Sequence, residues 1–238
     1  MKNKLRIYLW CVVMAVLLAL LLRETWVIVV EHIILPDWQH FSWDRLSWPN
    51  LFKQFNIGLY WWFAIGFFAY LLTRKFLVRH SRTLRSTFNF METLSHEFSH
   101  TLVGILTGRR VQSFHVEENT GQVVTSGSDW NRPFVSLAPY TLPFLTYIAL
   151  ALRTLIAWHN TWLFDILIGL TLGFHLVCFA RETHLYQTDI NRFPSLWFPL
   201  MYIALWTVFN INVIAVSFWS SKNVFTALWW VLQHLFIW

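Results

Sequence analysis

Charge is scarce in this sequence. Only 13% of its 238 residues are charged, where a soluble domain carries about 25%. Long polar stretches are missing too, so no segment has the means to enclose a water-soluble core of its own. Cysteine is almost absent. Cys11 and Cys178 both fall in apolar runs with no neighbour at metal-ligand spacing, which excludes a disulfide framework or a cysteine-built zinc site. No internal repeat or low-complexity segment is found. Base-reading and stacking motifs are also lacking, so nucleic acid is not an expected partner despite a net charge of +6. The apolar run near the N-terminus ends in RETW without a small-residue cleavage site, and it reads as a retained anchor.

What the sequence has is apolar and aromatic. Hydrophobic residues make up 56% of it, with 16 Trp and 22 Phe, and mean hydropathy is +0.47. The rings flank long apolar runs, as amphipathic side chains do at membrane boundaries. The chain is therefore expected to be an integral, multi-pass membrane protein, all-α, with about six transmembrane helices and a lipid bilayer as its surroundings. Apolar runs fall near residues 5–22, 57–72, 134–152, 162–180 and 196–218. The tail, 224–238, is too short to cross alone. Residues 36–56 read as an interfacial loop. His32, His40, His159 and His234 fall near span ends, and Asp165, near the start of its run, also reads as interfacial. Three parts follow: an N-terminal membrane region (1–85), a core (86–195) and a C-terminal membrane region (196–238). Basic clusters at Lys2–Arg6, at Arg74–Arg85 and at Arg109–Arg110 all favour the cytoplasmic side. A simple crossing between residues 85 and 109 cannot satisfy all three. Either that helix is partly inserted or an earlier run is not a crossing. Short loops favour a bacterial inner membrane.

The segment 86–107 has helical periodicity, with Leu94, Phe98, Leu102 and Ile105 recurring every three to four residues, and Gly108 stands where a helix stop is expected. It carries HEFSH. On a helix, His96 and His100 share one face, one turn apart, and can bind one zinc ion. Glu97 is rotated about 100° from His96 and can act as a general base on water. Histidine and glutamate are costly in an apolar helix, so they are seldom placed there without use. The rival reading is a hydrogen-bonded polar cluster joining helices. Glu92, one turn before His96, either orients that imidazole or sits near the helix start. Residues 109–125 alternate around an ENTG turn, a hairpin signal. His115 within it is an ordinary strand residue or lines the site.

Zinc needs a third protein ligand. His175, Glu182, His184 and Asp189 are all candidates. In one continuous helix His175, Glu182 and Asp189 would share a face, but His175 and Asp189 would lie about 21 Å apart. Spacing alone does not choose among them.

Over residues 91–193 the sequence resembles the site-2 protease family of intramembrane zinc metalloproteases. HEFSH followed by TLVGILTGRRVQSFHV is similar to the family's HExxH helix, which ends at a Gly and leads into a β-hairpin. SLAPYTLP resembles the family's AGP-containing helix. GFHLVCFA is similar to its G-F-N-L segment, with His175 in place of the Asn. The Asp-Gly pair that follows in the family is absent, and Asp189 in QTDI is its nearest match. The resemblance implies zinc (Zn2+) held by His96, His100 and Asp189, with His184 as fallback. It implies Glu97 as the base and His175 in a substrate- or oxyanion-positioning role. It further implies a hairpin near the site, and a membrane protein or peptide as substrate. A related metalloprotease type would use Glu182 as third ligand. A non-catalytic regulator or metal-binding module with the same fold is the alternative from another class.

Overall fold

The structure is a computed structural model, and it describes residues 2–29, 57–156, 161–184, 186–218 and 223–236. The segment 36–56, His32, His40 and His159 lie outside these residues.

Helix α1 spans Lys2–Val27. Helix α2, Ile57–Leu72, runs on through a π-helical turn, Thr73–Leu77, into Val78–His80. Helix α3, Arg82–Leu106, begins at Ser81, whose side chain accepts a hydrogen bond from the Leu84 N–H. It is followed by Gly108, whose φ of 77° is open to glycine and strained for other residues. Strands β1 (Arg110–Val116) and β2 (Gly121–Ser126) pair antiparallel, and the Glu117 N–H closes the turn on the Thr120 carbonyl. This is the hairpin expected around ENTG. Then come α4 (Arg132–Thr141), α5 (Phe144–Ile156), α6 (Trp162–Glu182), the single turn α7 (Thr188–Asn191), α8 (Trp197–Val216) and α9 (Val224–Phe236).

Among the described residues, four helical stretches are long and apolar enough to cross a membrane: Leu5–Val27, Tyr60–His80, Trp162–Glu182 and Trp197–Val216. The bent pair α4–α5 makes a fifth if it crosses as one unit. About six were expected. The difference lies in α3, which is long enough but too polar in composition, and in whether the bent pair counts as one span. The apolar run 134–152 is broken at Leu142–Pro143, where the axis bends by 75°. Proline lacks an N–H, so carbonyls of the preceding turn lose a partner. Asn210 of α8 supplies one, donating to the Thr141 carbonyl at 2.6 Å, and its own side-chain oxygen accepts from Tyr147 at 2.8 Å.

Packing follows from small residues and a few buried polar ties. Helices α2 and α6 touch backbone to backbone: a Cβ on Gly66 would meet the Ile166 carbonyl, and one on Gly169 the Phe63 carbonyl. Small residues permit such approach where lipid gives no hydrophobic drive. Asn212 of α8 donates to the Leu21 carbonyl and accepts from Thr25, fixing α1. Leu21, Ile28, Val213, Val216, Ala227 and Val231 close the α1–α8–α9 core. Asp165, in the first turn of α6, is enclosed by protein. It is buried and pairs at 2.9 Å with Arg153 of α5, which also lies over the Phe218 ring and donates to the Ser217 carbonyl. A buried arginine forces this arrangement, because an unpaired one would be far costlier.

Candidate metal centre

Helix α3 carries two charged clusters, and only the second faces a cavity. The first centres on Glu92, whose side chain is fully buried. Arg74 Nε lies 2.8 Å from its Oε1, Arg181 pairs with its Oε2, and the Tyr70 hydroxyl donates to it at 3.1 Å. Arg74 also donates to Asn89. Glu92 therefore ties α2, α3 and α6 together. It neither orients His96 nor sits idle at the helix start.

The second cluster begins one turn later. His96 and His100 are buried, with ring centroids 5.0 Å apart on one face of α3. The Tyr140 ring stands edge-on to His96 from α4. His100 Nδ1 lies 2.7 Å from the Val135 carbonyl. A carbonyl only accepts, so Nδ1 carries the proton and Nε2 faces the cavity. Asp189 reaches the same spot from α7. Its Oδ2 is 3.1 Å from His100 Nε2 and 3.6 Å from His96 Nε2. The ligand atoms of His96, His100 and Asp189 all lie within 4.8 Å of one another.

Asp189 is 89 residues from His100. It arrives because α6 ends at Glu182 and the chain then turns, with the Gln187 N–H bonded to the His184 carbonyl and the Asn191 N–H to the Gln187 carbonyl. That break takes Asp189 out of the continuous helical register it would share with His175. It does so by moving Asp189 alone. His175 stays two turns back along α6 and does not line the cavity. Glu182 lines the cavity but stands outside the three-residue cluster, and its Oε2 accepts weakly from Gln187 at 3.4 Å. His184 is exposed, and so is His115, which pairs with Glu117 at 3.2 Å; neither lines the cavity.

The cavity holds about 580 Å³. Glu97 lines it, buried against Gly121 of β2: a Cβ at position 121 would lie 2.6 Å from Glu97 Oε1. Burial pushes the Glu97 carboxyl up, against the pull of the His100 and His96 side chains. Burial also opposes ionisation of Asp189, but hydrogen bonds from His100 and His96 outweigh it and hold that carboxyl well below the usual range. Five consecutive residues, Gly121 to Thr125, line the wall. Successive side chains of a strand point to opposite faces, so five in a row mean that β2 meets the cavity along its edge. The hairpin is held over α3 by Thr93, which donates to the Glu118 carbonyl at 3.1 Å, and by the Ser86–Glu118 and Asn89–Asn119 contacts. Arg109 braces the far end, donating to Thr125, to the Ser128 carbonyl and to Asn131.

The donor set fits zinc. Two ligand atoms about 2.0–2.1 Å from a tetrahedral zinc ion lie about 3.3–3.4 Å apart, and the carboxylate oxygen sits 3.1 and 3.6 Å from the two imidazole nitrogens. With Nδ1–H committed to Val135, His100 meets Asp189 Oδ2 through Nε2, where either a proton or a metal ion can bridge the two atoms. Sequence reasoning did not reach Val135, Gly121, Tyr140 or the cavity arginines, because their roles come from contacts between elements. The one signal available was the small residue at position 121 immediately after the turn.

A family model described as Peptidase M50B-like matches residues 67–237. No curated protein and no solved structure matches the chain.

Proposed function

The chain belongs to the Peptidase M50B-like family, that is, the site-2 protease family, and on that basis we propose that it is a zinc-dependent peptidase acting on peptides within or beside the membrane. The observation that carries this reading is the convergence of Asp189 on His96 and His100. These three residues would hold the ion. Bound there, zinc would supply Lewis acidity, polarising a carbonyl and lowering the pKa of water toward about 7.

The chain's own groups do the rest. Val135 fixes the His100 tautomer, leaving Nε2 as a lone-pair donor. Glu97 takes the proton of the attacking water and passes it to the leaving amide nitrogen. Gly121 leaves the room that Glu97 occupies. The β2 edge offers backbone N–H and C=O groups to an extended substrate. Extension matters because a helical substrate keeps its carbonyls in its own hydrogen bonds.

The test compares wild type and Glu97→Gln, both purified without chelators. Both should contain zinc, and only wild type should cleave peptides. Equal cleavage by the two proteins would remove Glu97 from the reaction.

A further inference from the structure

Three arginines line the cavity: Arg109, Arg132 and Arg192. Arg109 is fully engaged by Thr125, Ser128 and Asn131. The other two are exposed and barely engaged. Among the described residues, the ion-pair partner of Arg132 is Asp129, at 4.0 Å and 94% exposed, too far and too solvated to neutralise it. Arg192 donates to the Ser136 hydroxyl at 3.2 Å.

Their placement is not scattered. Arg132 opens α4, and Ser136 lies four residues on, on the same helix face. Arg192 follows α7, three residues after Asp189, and leans across to that same Ser136. One end of the cavity therefore presents two guanidinium groups beside the metal-binding cluster. Guanidinium forks match a carboxylate through paired N–H donors.

We propose that Arg132 and Arg192 form a carboxylate-recognising subsite, so that this peptidase selects peptides carrying a carboxylate close to the scissile bond. The carboxylate is either an Asp or Glu side chain or the free C-terminus of the peptide. The inference rests on the peptidase reading above.

The experiment digests a random peptide library with the full-length zinc-loaded protein in nanodiscs of neutral phosphatidylcholine, with cleavage sites read by mass spectrometry. One library has free C-termini and the other amidated ones. Wild type should favour sites flanked on one side by Asp or Glu, or sites near a free C-terminus, by about fivefold over neutral counterparts. Comparing the libraries separates the two sources. Arg132→Gln and Arg192→Gln should each lower the ratio, and Arg192→Glu should shift the preference toward Lys and Arg. Zinc content equal to wild type marks each variant as folded. A shift toward basic residues is a result that a merely structural arginine would not give. Cleavage without any carboxylate preference, or a preference that Arg192→Glu leaves unaltered, overturns the subsite and leaves the peptidase reading intact. Absence of cleavage by zinc-loaded wild type in both libraries overturns both.

Discussion

Two carboxylates lie along helix α3, one to two turns apart, and they are treated in opposite ways. Glu92, on the helix itself, receives Arg74, Arg181 and Tyr70, so each of its oxygens is met by donors and its charge is more than balanced. Asp189, arriving from α7, meets two imidazole nitrogens, one of which has its proton directed elsewhere, to Val135. The first cluster is closed and joins three helices. The second is met by imidazoles, which carry charge only when protonated, and it opens onto a cavity. A carboxylate saturated by arginines holds a fold together, whereas one met by imidazoles beside a cavity has the chemistry to share a cation with them.

Substitutions can break this contrast. The largest effect is expected from His100→Ala, which should weaken zinc binding by about a hundredfold or more and abolish cleavage, as measured by metal titration and peptide assay. Glu92→Ala should act on stability instead. It strands two arginines, and thermal unfolding in detergent should show a loss of about 2–4 kcal/mol, below the full cost of a buried pair because Arg181 is a third exposed. Gly121→Ala should leave zinc in place but displace Glu97, lowering kcat by about tenfold or more. Glu182→Gln should do least. It should leave zinc content unchanged, because Glu182 lines the cavity outside the cluster.

What was legible in the sequence was local. The four-residue spacing of His96 and His100, the Gly108 stop and the ENTG turn act within a few residues, and each produced its element. The membrane character followed from composition alone. What was not legible depends on contacts far apart in the chain. The turn after Glu182 separates Asp189 from His175, yet both share one helical register on paper. Pro143 lies inside an apolar run that reads as one span, and at the 75° bend the Thr141 carbonyl finds its donor in Asn210 of α8. Nothing in the spacing pairs Asp165 with Arg153, twelve residues earlier on another helix. Glu92 finds its partners on α2 and α6, and no spacing on α3 names them.

The central claim is that Asp189 completes a zinc site with His96 and His100. Metal analysis of wild type and Asp189→Asn, purified side by side without chelators, tests it most directly. Wild type should carry zinc at one ion per chain, and Asp189→Asn should lose most of it while remaining folded. Equal zinc in the two proteins would contradict the assignment.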